Sequence, residues 1–452
     1  MEQPPRGRIR AERHRGGVKS MRGRGQVAPL PSAPAPIAAR SQGLRRTSLI
    51  LLAILPLFGQ FFHYMVDAGP FYFLSKAWPF ITLPFALHGL IRTRTPPHGI
   101  YIACLAYVLA VTPVLSIYWL GNSIVDAIGT TIKVWPITYY FSLLSVLLLL
   151  LPTPAQLRRS LITLGIVSFA VLWLLWIIVP ASRYATDPEI SKLFLYETER
   201  GYRIYMPETF TILTMFFVTH RAARQPRLWH AAFLLFAIAS LLIIYKQRLA
   251  IAVTVAVTVW ILYRQLPRLW RSLGLIAAGF GGVAVIVYAL RNGDKVAQSL
   301  GGSLSIRQTS MNLLWRFLLD EPLRWIFGSG GATRFGSVTM ADIVGRKDFY
   351  LADLGWAGVI FEYGAVGSLL LFGLYMTALR RYDRGPSGED TSPDPGADHD
   401  LYEALRDYAL YLLLSTAVYS PVFTPGELAS ITALILYLGQ GRWRAPRSGV
   451  SA

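Results

Sequence analysis

Apolar runs of roughly 17–22 residues recur along this chain, each long enough to cross the hydrocarbon core of a bilayer as a helix. That core holds no water, so backbone amides must find their partners inside the run. Runs of this length therefore become helices, whereas barrel strands are short and alternate apolar with polar residues. Composition agrees: 53% of the 452 residues are hydrophobic and 15% are charged, where a soluble chain carries about a quarter charged. The expected fold is all-α, a polytopic integral membrane protein.

We read about twelve transmembrane helices, at 48–66, 70–91, 99–119, 134–151, 160–181, 207–220, 228–245, 248–263, 272–290, 354–379, 402–420 and 426–441. Helices one to nine thus fill 47–290. A long loop, 291–353, separates helices nine and ten, and the last three helices fill 354–441.

Orientation follows from arginine. One set of connections holds Arg92 and Arg94; Arg158 and Arg159; Arg221, Arg224 and Arg227; Arg264, Arg268 and Arg271; Arg380, Arg381 and Arg384; and, at the end, Arg442, Arg444 and Arg447. These alternate with loops poor in positive charge. The positive-inside rule then puts both termini in the cytoplasm. The net charge of +19 is concentrated at the start, where residues 1–46 hold eleven Lys/Arg against two acids. This Pro-, Gly- and Ser-rich tail is expected to be disordered. Because it runs straight into a membrane helix, it reads as an orienting flank that touches anionic membrane lipid rather than a nucleic-acid arm. It is too long for a cleavable signal peptide, and no small-residue cleavage site follows the first apolar run. The single cysteine, Cys104, excludes an internal disulfide and a cysteine-based metal site. The acidic stretch 383–400 reads as a flexible cytoplasmic linker, and 442–452 as a cytoplasmic tail.

Three features on the opposite face break the charge pattern. The first is the turn Tyr245-Lys246-Gln247-Arg248, two cations where positive charge should be scarce. Lys246 and Arg248 either snorkel to lipid phosphate or form an anion site at the mouth of a helix pair. The second is Glu199-Arg200-Gly201-Tyr202-Arg203-Ile204-Tyr205-Met206-Pro207-Glu208, which leads into a short helix. Arg203 and Glu208 either belong to a salt-bridged surface loop or reach a cavity mouth.

The third is the long loop. Met311, Leu314, Trp315, Leu318 and Leu319 recur at helical spacing, which predicts an amphipathic helix ending before Pro322, lying on the membrane or roofing a cavity. Ile326-Phe327-Gly328-Ser329-Gly330-Gly331 reads as a tight turn, since it lacks the Lys-Ser/Thr of a phosphate loop. Asp353 stands just before helix ten, where an acid caps the helix or acts as a general base. Glu362 lies about two turns deeper in that run, and a carboxylate there is expected to hold an arginine in place.

No histidine occurs between His230 and His399, so no Ser-His-Asp set or zinc spacing is available on this face. The imbalance is toward arginine, whose planar fork suits phosphate. An arginine-lined outward cavity with an acid nearby points to a polyprenyl-phosphate or other lipid-phosphate substrate, with no cofactor and no metal.

Several segments are similar to the O-antigen ligase/polymerase superfamily of bacterial surface-glycan enzymes. They are Gly201-Tyr202-Arg203-Ile204, Lys246-Gln247-Arg248-Leu249-Ala250, Ser305-Ile306-Arg307, and Trp315 through Glu321-Pro322 to Phe327-Gly328-Ser329-Gly330. The last are Ala352-Asp353-Leu354-Gly355-Trp356 and Phe361-Glu362-Tyr363-Gly364-Ala365-Val366-Gly367. The resemblance covers roughly 195–375. It implies a GT-C-like, metal-independent glycosyltransferase of the bacterial inner membrane. Its substrates would be undecaprenyl-pyrophosphate-linked oligosaccharide repeats of an exopolysaccharide, capsule or O-antigen. On that pattern Arg248 and Arg307 grip the pyrophosphate with Arg203 beside them, and Asp353, or else Glu208, deprotonates the acceptor. A chain-length regulator and a flippase of the same pathway are the implied partners. The ligase branch usually carries a histidine in the long loop. This chain has Asp353 near that place, which favours a polymerase over a ligase-type transferase. A flippase for the same lipid is the alternative from another class; no inverted repeat or paired broken helices support it.

Overall fold

The computed structural model describes residues 37–63, 65–187, 191, 193–198, 200–275, 291, 302–331, 339, 342–343, 345, 351–382, 394–420 and 424–439. Residues 1–43 form one unit and 44–452 another; the following concerns the second. In chain order the elements that matter begin with α1 (Ile37–Phe58), α2 (Pro70–Ile81), α3 (Leu83–Arg92), α4 (His98–Leu120), α5 (Ile124–Leu150) and α6 (Pro154–Ile178). A hairpin of β1 (Phe194–Glu197) and β2 (Gly201–Ile204) precedes α7 (Thr209–Arg224), α8 (Leu228–Tyr245) and α9 (Arg248–Gln265). The remainder are α10 (Gly302–Leu319), α11 (Pro322–Phe327), α12 (Trp356–Leu379), α13 (Pro395–Ser415) and α14 (Pro425–Gly439).

Among the described residues the protein is helical, with almost no sheet. Six helices among the described residues are long and apolar enough to cross a membrane: α4, α5, α6, α8, α9 and α12. Residues 46–58 of α1 and all of α14 are shorter apolar helices.

Several boundaries differ from expectation for local reasons. The segment expected to span 70–91 is two helices meeting at Thr82. Pro84 has no N–H to give to the carbonyl four residues earlier, and Thr82 Oγ1 bonds back to the Trp78 carbonyl at 2.8 Å. The fourth expected span begins at Ile124 rather than 134, through a 3-10 stretch over Thr130–Thr138. α1 begins at Ile37, inside the tail expected to be disordered. The ninth expected helix, 272–290, lies outside the described residues from 276 onward.

The core joins α1, α3, α4, α5, α6, α7, α9, α12, α13 and α14. Tyr101 and Tyr140 stack at 3.9 Å, and the Tyr101 hydroxyl donates to Thr432 at 3.0 Å, tying α4 to α5 and α14. Such buried hydroxyls need partners, and these have them.

The acidic stretch expected to be a linker is corrected over its described part. Residues 394–400 start α13, with Asp394 capping it through Ala397 N at 2.9 Å. The carboxylates of this helix grip the arginines of three others. Asp398 meets Arg158 at 2.6 Å, Asp394 meets Arg221 at 3.2 Å, and Asp400 meets Arg224 at 3.0 Å. Asp407 accepts two bonds of 2.8 Å from Arg264 and contacts His220 Nε2 at 2.7 Å. Four of the arginines expected to orient the chain, Arg158, Arg221, Arg224 and Arg264, are thus paired with carboxylates of this helix.

Candidate functional site

The long loop supplies two of the structural parts that surround the site. In α10, Leu314 and Leu318 are buried, with Met311 and Trp315 partly buried, against Leu354, Ala357 and Phe361 at the start of α12. The predicted apolar face therefore forms, except for Leu319, which is 71% exposed. The helix stops at Leu319, and Pro322 opens α11.

The glycine-rich segment after α11 does more than turn. α12 breaks at Gly364, whose φ of 62° and ψ of −173° remove it from the helical path. The carbonyls of Phe361 and Glu362 then accept from Ser329 N at 2.8 Å and Gly330 N at 3.1 Å. Residues 328–331 are buried. They are anchored further by Tyr107 Oη to the Phe327 carbonyl and Ser116 Oγ to the Gly331 carbonyl, both 2.7 Å. Glycine is required here because a Cβ on Gly330 would lie 2.2 Å from Ser116 N. Glu362, expected to hold an arginine, instead pairs with Lys133 of α5 at 2.5 Å.

Asp353 sits on a 3-10 turn over Leu351–Leu354, and Gly355 is the N-cap residue of α12, so Asp353 does not cap that helix. The turn after α13 is fastened to this point. Ser420 N donates to the Ala352 carbonyl at 2.8 Å, and Trp356 Nε1 donates to Thr416 Oγ1 at 2.8 Å. This fastening presents Tyr419, which interacts electrostatically with Asp353, Glu208, Arg307 and Arg200. Burial pushes the Asp353 carboxyl above the ordinary carboxylate range, and the Arg307 charge opposes that shift.

The second half comes from the hairpin. β1 and β2 pair antiparallel with Leu195 opposite Arg203 and Glu197 opposite Gly201. Arg203 is ion-paired with Glu197, and Arg200 Nε approaches the same carboxylate at 3.4 Å. Glu208 directly precedes α7 and accepts from the Tyr411 hydroxyl. Tyr205 stacks on Tyr245 at 6.1 Å. Lys246 adopts a left-handed backbone (φ 54°) and carries Nζ over Trp176, 5.6 Å from the ring centre. A Cβ on Gly201 would lie 3.7 Å from that Nζ, so the lysine reaches the hairpin. Arg248 opens α9 and is exposed.

Among the predicted residues, Arg307, Asp353 and Glu208 each act electrostatically on Tyr419. Arg203 is engaged by Glu197, Lys246 lies against Gly201 and Trp176, and Glu362 belongs to a separate contact with Lys133. Sequence reading missed Tyr419, Lys133 and Glu427. Glu427 carried a signal, since a carboxylate at the head of an apolar run is costly without a task. Lys133 fell just outside a span whose start was set too late. Among the described residues no group of three His, Cys, Asp or Glu side chains is arranged to hold a metal ion. No known protein-family model and no curated protein matches the chain.

Proposed function

We propose that this protein is a glycosyltransferase that joins lipid-pyrophosphate-linked oligosaccharide units, a polysaccharide polymerase acting at the outer face of a bacterial inner membrane. The reading takes the twelve apolar runs as spans with both termini cytoplasmic and the long loop outside. The observation that carries it is that Arg307 and Asp353, together with Arg200 and Glu208 from an earlier segment of the chain, all act electrostatically on Tyr419, and that the Arg307 charge acts on the Asp353 carboxyl. A cation next to a carboxyl raised by burial is the pairing needed to stabilise a departing pyrophosphate and accept a proton.

In this reaction an acceptor sugar hydroxyl gives its proton to Asp353 as its oxygen bonds to the donor's anomeric carbon. The bond from that carbon to the phosphate oxygen breaks, and its electron pair leaves with the lipid pyrophosphate. Arg307 and Arg200 stabilise the charge that develops there, and such electrostatic help is worth about 3–4 kcal/mol per donor. Arg248, exposed at the start of α9, would add a further cation for the headgroup.

The test is genetic and chemical. Arg307→Ala and Asp353→Asn should each stop chain extension and leave single repeat units on lipid in the outer leaflet. Long chains of normal length from both variants would overturn the proposal, and units trapped in the inner leaflet would mark a flippase instead.

A further inference from the structure

Two buried carboxyls from different helices are held by neighbouring tyrosines. Glu208 precedes α7, and Glu427 lies in the first turn of α14. Each is held by a tyrosine of α13. Tyr411 donates to Glu208, Tyr408 donates to Glu427 at 3.1 Å, and the two rings stack at 5.5 Å. The carboxyls interact electrostatically with one another.

The groups facing this pair come from every element around it. They are Tyr205 after β2, Tyr245 of α8, Tyr375 of α12, Tyr408 and Tyr411 of α13, and Tyr419 in the turn beyond. All are neutral hydroxyls. Arg200, Arg307 and Asp353 enter through Tyr419.

Two polar atoms remain unmatched. Glu208 Oε2 is buried and completes no hydrogen bond, although the Tyr245 hydroxyl lies near the carboxyl. Thr209, 2% exposed, turns Oγ1 toward Tyr408 and Glu427 without completing a hydrogen bond to either. A buried carboxylate oxygen without a completed hydrogen bond is expensive, and two ionised carboxylates that feel one another's charge repel. One proton removes both penalties, because it supplies a donor and leaves one negative charge on the pair.

We propose that Glu208 and Glu427 form a proton-binding site that holds a single proton between them, with Thr209 Oγ1 completing its hydrogen bonding. The consequence rests on the anion-site reading above. A floor with one negative charge leaves Arg200 and Arg307 free to bind a phosphate, whereas a doubly ionised floor would cancel them.

The test reads the proton directly. Infrared spectra of the purified full-length protein in nanodiscs at neutral pH should show the C=O stretch of a protonated carboxyl. Glu208→Gln and Glu427→Gln should each remove the same band, because the remaining glutamate then ionises. A band that survives either substitution overturns the sharing. If Glu427→Gln does not fold, Glu427→Asp keeps the acid with a shorter arm and should shift the band; an unshifted band overturns the proposal. The band is read without substrate, so a protein that shows it yet joins no glycan units overturns only the proposed activity.

Discussion

Lys133 and Glu362 meet in a two-pronged ion pair, with the lysine Nζ 2.5 and 2.7 Å from the two carboxylate oxygens. It joins the 3-10 stretch of α5 to α12 just before the Gly364 break. The two sides are unequal: the Lys133 side chain is 39% exposed and that of Glu362 only 6%. Removing the lysine strands a buried carboxylate, whereas removing the glutamate leaves a cation that can turn to water or to the interface. Lys133→Met should therefore cost more than Glu362→Gln. We expect about 2–3 kcal/mol against about 1 kcal/mol, after discounting for the exposed lysine. Thermal unfolding of both variants in one detergent checks the order.

The buried glycine segment makes a sharper steric claim. At Gly330 φ is +87°, and an added Cβ would meet backbone atoms of Ser116 at 2.2 and 2.5 Å. Backbone cannot swing aside as a side chain does, so Gly330→Ala should cost at least about 3 kcal/mol. Gly99→Ala, where nothing lies within 4 Å, should stay within about 0.5 kcal/mol of the parent. Equal melting temperatures for the two variants would show that the segment is not seated between α4 and α12.

Asp407 is the most heavily used acid of the α13 clamp. It serves Arg264 through both oxygens and His220 through one. Asp407→Asn leaves a partly buried arginine without its counter-charge and should cost about 3 kcal/mol. Combining it with Arg264→Leu should recover part of that loss, since the stranded charge is then gone. A double variant no more stable than the single one would mean the pair is not the source of the cost.

What was legible in the sequence is what local periodicity carries. The runs at 228–245 and 248–265 are helices over nearly the range their apolar residues mark. The stripe Met311, Leu314, Trp315 and Leu318 meets α12 as its spacing requires. Pairings between distant residues were not legible. Asp398 finds Arg158, Glu362 finds Lys133, and Ser420 fastens to Ala352, and nothing in the neighbourhood of either partner names the other. The stretch 394–400 looked like a linker because its acids and Pro-Gly signal solvent when no basic surface is known to cover them. The tight-turn reading of Gly328–Gly331 was right about glycine and silent about depth, which depends on the Gly364 break.

The proposed role of Asp353 as the base would give chain extension a pH dependence. Burial raises its carboxyl above the usual value of about 3.9, with Arg307 opposing. As a base it works only when ionised, so extension should rise as pH climbs through the raised value. Stability has the opposite sign. A carboxyl with a raised folded pKa loses stability as pH rises from the unfolded value through the folded one, and the loss is complete above it. Arg307→Gln removes the opposing charge and should move the acid limb of residual activity to higher pH, while Arg307→Lys should leave it in place. A limb unmoved by Arg307→Gln would separate Asp353 from the proton transfer.

Arg200 and Arg203 share the Glu197 carboxylate, and the geometry divides their work. Arg203 is the tighter partner, with its side chain only 11% exposed; Arg200 holds the carboxylate more loosely, at 3.4 Å, and also reaches the Tyr419 neighbourhood. An arginine committed to a carboxylate has little left for a phosphate, whereas a loosely held one can exchange partners when the anion arrives. Arg200→Ala should therefore reduce chain extension by about 100-fold, the scale of losing one charge-stabilising donor. Arg203→Ala should act mainly on the hairpin, lowering stability by about 1–2 kcal/mol and extension by a smaller factor. Glu197→Gln separates the roles, because it frees both arginines: binding of lipid pyrophosphate should tighten while the hairpin weakens. If Arg203→Ala proved the more damaging to extension at full thermal stability, the anion contact would belong to Arg203 and the assignment of Arg200 would fail.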